Sequence, residues 1–174
     1  PPALIEPFRA RSEPPLIETD AKGVEVLRSN RGSTPISEIF DDVETRLAAM
    51  DSQGVSTAVL SLFGMHQWIE RLDVEESVPL TRIYNDHVSE ICRDNGGRFA
   101  AYASLPQADM DAAVAEFERA IQLPGIIGGV VPGNAFMNRG EAEGYRPILG
   151  RRQPPPGDAV HPLGAPARRC LAAH

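Results

Sequence analysis

Lysine is almost absent from this sequence: Lys22 is the single lysine among 17 basic residues, and Asp and Glu outnumber the basic residues with 24. The formal net charge is therefore -7 at pH 7. A nucleic-acid-binding protein needs a basic surface that neutralises phosphates, so this excess of acidic residues argues against nucleic acid as a partner.

Cysteine is scarce too, and Cys92 and Cys170 form neither a disulfide framework nor a metal-ligand pattern. This usage predicts a cytoplasmic protein.

Long hydrophobic runs are also lacking. None approaches the roughly 18 residues that a membrane-spanning helix requires, so we expect no membrane partner. The N-terminus, Pro1-Pro2-Ala3, has no basic-then-apolar signal pattern and no methionine. We therefore expect the chain to start inside its open reading frame or after processing.

The stretch from Arg98 to Val131 carries the clearest structural signal. Residues 98–106 form a short apolar run that predicts a strand. Residues 109–123 follow with apolar side chains at helical spacing, at Met110, Val114, Phe117 and Ile121. After a stop at Pro124-Gly125, residues 126–131 form a second run rich in β-branched side chains, typical of a buried strand. This order predicts an α/β fold with a parallel sheet, whose site lies at the carboxyl ends of the strands.

The preceding residues continue the alternation of helix and strand. An apolar stripe predicts a helix over 36–50, with Ser37 as its N-cap and Gly54 as its stop, followed by a strand over 55–63. A second long helix is predicted from Ser77 to Asn95. Residues 1–35 are proline-rich and predict loops, with a short helix near 3–10 and a minor strand near 24–27.

The character of the sequence changes at Gly150. Residues 150–174 hold five prolines and four arginines without apolar periodicity, which predicts an irregular tail. Before it, residues 143–149 look like the opening of another helix. The predicted organisation is one α/β region over 1–149 and a separate Pro/Arg-rich tail over 150–174.

Three side chains that follow predicted strands are candidates for substrate binding. His66 and Trp68 come after the strand at 55–63, and Asn134 comes after the strand at 126–131. Each has a plainer interpretation: an exposed loop histidine, a tryptophan that covers the core, and a turn-forming asparagine. His87 lies on an apolar helix face and is expected to be a packing residue. No catalytic residue and no metal ligand can be assigned from these spacings.

Several segments together resemble one enzyme family. They are PPALIEPF, RLAAMDSQGVSTAVLS, RIYNDHVSEICRDNGGRFAAYASLP, DMDAAVAEFERAI and GIIGGVV, within residues 1–10 and 36–149. The sequence is similar here to the amidohydrolase-related family typified by aminocarboxymuconate semialdehyde decarboxylase. The resemblance implies a (β/α)8 TIM barrel, of which this chain holds about strands two to four as an N-terminal half.

The resemblance also implies the chemistry of the parent enzyme. Family members are metal-dependent decarboxylases or hydrolases of small carboxylated substrates, with a divalent metal, usually zinc. Their ligands are a His-x-His pair after strand one, a His after strand five and an Asp after strand eight. None of these can be assigned to a residue here, so we expect no metal in this chain, no activity, and self-association through open barrel edges. The alternative is a small non-catalytic α/β binding or interaction domain.

The tail after Leu149 departs from the family pattern. If residues 150–174 are back-translated into codons and read one nucleotide later, the degenerate codons are compatible with the sequence AAGNRRRAMLFIHSGPRPGDAWPR. This alternative sequence contains an apolar strand that ends in a histidine, at the place where the family carries its third metal ligand. The resulting hypothesis is a frameshift near the Gly150 codon. Coding DNA that is incompatible with this reading would refute it.

Overall fold

Two small sheets, one antiparallel and one parallel, organise the chain. The computed structural model describes residues 2–29, 32–36, 42–62, 69–132 and 137–150. The antiparallel sheet has the order β1 (Leu16–Thr19), β2 (Glu25–Ser29) and β3 (Gly32–Pro35), and the parallel sheet has the order β4 (Ala58–Leu60), β5 (Phe99–Ala103) and β6 (Ile126–Gly129). The helices are α1 (Pro2–Arg9), α2 (Val43–Ser52), α3 (Val74–Asp94), α4 (Met110–Ala120), α5 (Arg139–Gly144) and α6 (Arg146–Leu149).

The parallel sheet confirms the predicted α/β class. β4 pairs with β5 and β5 pairs with β6, both in parallel, and α3 and α4 are the crossovers that join them. Phe99, Ala101 and Ala103 of β5 are buried in the same core cluster as the apolar side of α3 and α4. Tyr102 alternates to the opposite face and is 40% exposed. The periodicity of residues 98–131 therefore predicted a true βαβ unit.

Two predicted boundaries were wrong. β4 begins at Ala58 and not at Val55, because the carbonyl oxygens of Val55 and Ser56 accept hydrogen bonds from the Arg98 guanidinium. α3 begins at Val74 and not at Ser77, because the carbonyl of Asp73 accepts bonds from the amides of Glu76 and Ser77. α2 starts at Val43 with Asp42 as its N-cap, and the predicted cap Ser37 lies outside the described residues.

The first 35 residues hold more structure than the predicted loops. The short helix and the minor strand are present, but β2 is the centre of a three-stranded antiparallel sheet. Its first turn is closed by Asp20, whose Oδ1 accepts the amides of Lys22 and Val24 at 2.8 and 2.9 Å. Strands of four or five residues are too short to establish a period, so the sequence does not predict this sheet.

The end of the described region also differs from prediction. α5 begins at Arg139, earlier than the predicted opening at Glu143, because Asn138 caps it through its Oδ1, which accepts the Glu141 amide at 2.9 Å. A short second helix, α6, follows. Within the part of the chain that the structure describes, no helix has the length and apolar character needed to cross a membrane.

Candidate functional site

The candidate residues chosen from the sequence cannot be placed. His66, Trp68 and Asn134 all lie outside the described residues, so their part in substrate binding stays a prediction. The packing prediction for His87 fits its position on α3, where it is half-buried. The structure instead identifies a buried polar cluster at the carboxyl end of β5.

Asn85 of α3 forms the centre of this cluster and is fully buried. Its side-chain amide donates to the carbonyl of Ser104 at 3.0 Å, and its Oδ1 accepts the Ser104 amide at 2.8 Å. Ser104 directly follows β5, so Asn85 satisfies both backbone groups at the point where the strand ends. This pair of bonds fixes the path of the chain from β5 towards α4.

Glu116 of α4 is the ionic member of the cluster and is 1% exposed. It accepts a hydrogen bond from Asn85 at 2.7 Å and forms ion pairs with Arg82 at 3.1 Å and with Arg119 at 2.7 Å. Arg119 also pairs with Asp86 at 2.7 Å. A buried carboxylate is tolerated only when it is paired and hydrogen-bonded, and Glu116 meets both conditions. It therefore joins α3 to α4 behind the sheet.

Glu70 is a second buried carboxyl group, with a different environment. It precedes α3, is 3% exposed, and accepts a hydrogen bond from the Ser104 hydroxyl at 2.9 Å. Its backbone carbonyl accepts the Gln107 amide at 2.7 Å, so Glu70 connects the segment before α3 to the segment after β5. Burial raises the pKa of Glu70, and the Ser104 hydrogen bond offsets only part of that effect.

Four buried polar atoms, including one of Glu70, have no hydrogen-bond partner within the described structure. They are Glu70 Oε2, Ser77 Oγ, Tyr84 OH and Gln107 Nε2, all buried. Burial, and secondarily the nearby Glu70, raises the pKa of Tyr84 well above its usual range. A protonated Glu70 can donate from an oxygen that has no partner among the described residues, so Glu70 is chemically able to carry a proton.

Sequence reasoning missed this cluster, although a signal was present. Ser77, Thr81, Asn85 and Ser89 recur every four residues along α3, beside its apolar stripe, and all four are buried. Buried polar side chains generally need partners, and two of these four find them outside the helix: Asn85 at Ser104 and Ser89 at the Pro124 carbonyl. That spacing could have indicated a polar contact between α3 and the strand ends.

Metal binding does not fit the described residues. No group of three or more His, Cys, Asp or Glu side chains comes together anywhere in the described ranges. A site for zinc or a similar ion generally needs at least three such protein ligands. No step of a reaction can therefore be derived through a metal held by these residues.

Comparison with known proteins identifies the relatives of this chain. No family model matches it. Gamma-resorcylate decarboxylase from Rhizobium radiobacter is 32% identical over 121 residues, which cover 64% of this chain and 36% of that protein. The crystal structure of 2,6-dihydroxybenzoate decarboxylase from Rhizobium superposes with a TM-score of 0.52 at 32% identity, over 62% of this chain and 35% of the other. Over about 60% of its length, this chain is similar to gamma-resorcylate decarboxylases and to other amidohydrolase-family decarboxylases. The resemblance stated from the sequence motifs is thereby confirmed.

The match covers only part of the relatives, and one relative contains a bound metal. The chain spans about a third of the length of the curated relatives that it matches. The structural neighbours of this α/β chain are TIM-barrel decarboxylases. A dihydroxybenzoic acid decarboxylase from Polaromonas sp. JS666 contains bound manganese and the inhibitor 2-nitroresorcinol; it is 29% identical, with a TM-score of 0.48 over 52% of this chain and 27% of that protein.

Proposed function

We propose that this chain is part of a metal-dependent decarboxylase that acts on a small carboxylated aromatic substrate. Within that enzyme, residues 1–149 form strands two to four of a (β/α)8 barrel, and residues 150–174 form a segment separate from it. The 32% identity over 121 residues to gamma-resorcylate decarboxylase carries the proposal. The parallel order of β4, β5 and β6 supports it, because consecutive barrel strands lie side by side.

The reaction replaces a carbon–carboxylate bond with a carbon–hydrogen bond. The carboxylate leaves as carbon dioxide, its bonding electron pair stays on the ring carbon, and a proton then adds to that carbon. A barrel enzyme builds this chemistry at the carboxyl ends of its strands. His66, Trp68 and Asn134 follow β4 and β6 in the sequence, so we propose that they contact the substrate at this edge.

The polar cluster would support that edge without touching the substrate. Asn85 fixes the backbone of Ser104 where β5 ends, and Glu116 fixes Asn85. Hydrogen bonds of this kind hold the surrounding backbone rigid. Rigidity matters because a displacement of reacting groups by about 1 Å lowers the rate of an enzyme roughly 100-fold. We therefore propose that the cluster positions the loop between β5 and α4 in the intact enzyme.

A divalent metal is proposed for the intact enzyme, and zinc remains the family-based expectation. The described residues hold no ligand cluster, so the ligands would come from other parts of the parent protein. Alone, this chain is proposed to be inactive. Self-association through open barrel edges is proposed as well, and the apolar side chains of Val59, Tyr102 and Ile127, exposed at 49, 40 and 38% on one sheet face, would favour it.

A chimera tests the proposed function. Residues 1–149 would replace the matching segment of the Rhizobium radiobacter gamma-resorcylate decarboxylase, and the purified chimera would be supplied with zinc or manganese and 2,6-dihydroxybenzoate. We expect resorcinol and carbon dioxide to form above the background of the same chimera without metal. A matched variant that carries Asn85→Ala in the grafted segment is expected to be slower.

Two results would contradict the proposed function or the proposed inactivity of the isolated chain. A chimera that folds and binds metal but produces no resorcinol contradicts the proposal and favours a non-catalytic domain. The isolated 174-residue chain, assayed with the same metals and substrate, is expected to show no turnover. Turnover by the isolated chain would contradict its proposed inactivity.

A further inference from the structure

Glu70 joins two segments of the chain that follow neighbouring strands of the parallel sheet. It lies in the turn before α3, in the connection that follows β4, and its partners lie in the connection that follows β5. Its side chain accepts the Ser104 hydroxyl at 2.9 Å, and its carbonyl accepts the Gln107 amide at 2.7 Å. One residue therefore ties the two connections together, at the carboxyl ends of the strands where a site is expected.

The carboxyl group of Glu70 is buried without a charged partner. Among the described residues it takes part in no ion pair, and its Oε2 accepts no hydrogen bond. Glu116 is buried to a similar extent but is paired with Arg82 and Arg119. An unpaired carboxylate is costly to bury, and a neutral carboxyl group costs much less. The surroundings of Glu70 therefore favour its protonated form.

The charged and titratable groups around Glu70 do not reverse this preference. Burial raises the pKa of Glu70 and outweighs the Arg71 charge, the Ser104 hydroxyl and the backbone amides of Ile69 and of Glu70 itself, all of which favour ionisation. Tyr84 faces Glu70 from α3, and burial raises the pKa of Tyr84 well above its usual range, so this phenol stays neutral. The connection after β5 contacts Glu70 through groups that do not titrate.

A small movement can relieve the cost of ionising Glu70. Its turn belongs to neither a helix nor a strand, so rotation of the carboxylate towards water breaks no helical or sheet hydrogen bond. The movement gives up the Ser104 hydroxyl and loosens the bond to the Gln107 amide. Ser104 itself stays in place, because Asn85 holds its amide and its carbonyl. A segment held by so few bonds opens at a smaller free-energy cost than the whole domain.

We propose that Glu70 is a positioning residue: its protonated carboxyl group holds the connections after β4 and β5 together, and its ionisation releases them. Its effect on catalysis rests on the proposed function. In the intact enzyme, release of the two connections displaces groups at the carboxyl ends of the strands and lowers the rate. Glu70 acts through Ser104 and Gln107, without contact to the substrate.

Hydrogen exchange of two backbone amides in the full 174-residue chain tests the release. The Gln107 amide is bonded to Glu70, whereas the Ser104 amide is bonded to Asn85 Oδ1. NMR follows both amides over a range of pH and low urea concentrations, and each rate is divided by that of the same amide in an unfolded peptide.

We expect the Gln107 amide to exchange through an opening that costs less free energy than the opening that exposes Ser104. This opening should hardly depend on urea, because it exposes little surface. Its population should rise by up to about tenfold per pH unit while Glu70 ionises, the slope of a one-proton event. Equal opening free energies and equal urea dependence at both amides would overturn the proposal, because the connections would then separate only on global unfolding.

Glu70→Gln supplies the matched variant, since it keeps a neutral side chain of nearly the same shape. It should abolish the pH dependence of the Gln107 opening, whereas Glu13→Gln, at an exposed residue, should leave it unchanged. A pH dependence that Glu70→Gln does not alter would overturn the proposal. The comparison of the two amides uses the unmodified chain, so it remains decisive if Glu70→Gln does not fold.

The decarboxylase chimera separates this proposal from the proposed function. Its kcat/KM should fall by up to about tenfold per pH unit as Glu70 ionises, and Glu70→Gln should remove that fall. An inactive chimera contradicts the proposed function, and the exchange of the two amides then decides on Glu70 alone. An active chimera with the same pH profile before and after Glu70→Gln would overturn the positioning role.

Discussion

Asn85 and Glu116 are joined by a 2.7 Å hydrogen bond between two helices that both pack behind the parallel sheet. The same Asn85 side chain holds both backbone groups of Ser104. A single amide therefore connects α3, α4 and the end of β5. The contact explains why an asparagine is fully buried on a helix whose other buried residues are mainly apolar or small.

Asn85→Ala should destabilise the chain strongly. The substitution leaves the Ser104 amide and carbonyl without their partner and removes one donor from buried Glu116, and each buried unsatisfied group costs about 1–3 kcal/mol. We expect a loss of about 2–5 kcal/mol in the free energy of unfolding, measured by urea denaturation. The matched control is Asn95→Ala, which removes one bond to the Ile91 carbonyl at the end of α3. Equal losses for the two variants would contradict a central role for Asn85.

Glu70→Gln should change the pH dependence of stability. The pKa of Glu70 in the folded chain lies above its ordinary value of 4.5, so the folded state binds the proton more tightly than the unfolded state does. Unfolding free energy should therefore fall as the pH rises from about 4.5 until folded Glu70 has ionised, and stay low above that. Glu70→Gln should remove this slope and make the chain more stable than wild type at neutral pH.

Chemical denaturation at a series of pH values measures this slope. Glu13→Gln, at an exposed residue, is the matched control and should leave the slope unchanged. Infrared spectra can report the protonated carboxyl directly, as a carbonyl band that Glu70→Gln abolishes. A wild-type slope that Glu70→Gln does not alter would show that another group is responsible.

The βαβ unit could be predicted from sequence because its signals are local. The helical spacing of Met110, Val114 and Phe117 and the β-branched run from Ile126 each fix an element without knowledge of its neighbours. The antiparallel sheet could not be predicted in this way. Its strands are stabilised by partners up to 12 residues away, as Leu16 is from Arg28, and they are too short to show a period.

The buried cluster was missed for a different reason. Whether Glu70, Asn85 and Glu116 are exposed or buried depends on contacts between residues 19 to 34 positions apart in the sequence. Charged and amide residues are mostly exposed, so the sequence alone favours the wrong interpretation for each of them. His66, Trp68 and Asn134 were chosen by their place after predicted strands, and that choice stays a prediction.

Two helix N-caps allow the contribution of the side-chain hydrogen bond to stability to be measured separately from that of a carboxylate at the cap position. Asp109 caps α4 and its Oδ1 accepts the Ala112 amide at 2.8 Å, whereas Asp73 occupies the same position on α3 without a side-chain cap bond. Asp109→Ala should therefore cost about 1 kcal/mol of unfolding free energy. Asp73→Ala should cost less, because only its interaction with the helix dipole is lost. Thermal or urea unfolding of both variants measures the difference, and a larger loss for Asp73→Ala would contradict the structure.

Gly125 provides the sharpest test of how α3 packs against the loop before β6. Its φ is +78°, and a Cβ at this position would overlap the Cys92 side chain. Gly54 has a similar φ of +68°, but a Cβ there meets no other atom within 4 Å. Gly54→Ala should therefore cost only the left-handed backbone strain, about 1–2 kcal/mol, whereas Gly125→Ala should cost about 1–3 kcal/mol more.

A smaller side chain at Cys92 should relieve the overlap that a Cβ at position 125 creates. Cys92→Ala removes the sulfur but keeps the Cβ, so it should recover only part of the loss caused by Gly125→Ala, and Cys92→Gly should recover more of it. Double-mutant cycles measured by urea denaturation give this coupling free energy. Zero coupling between positions 92 and 125 would mean that α3 does not contact this loop as described. A clear coupling would establish the close approach that holds β6 beside β5.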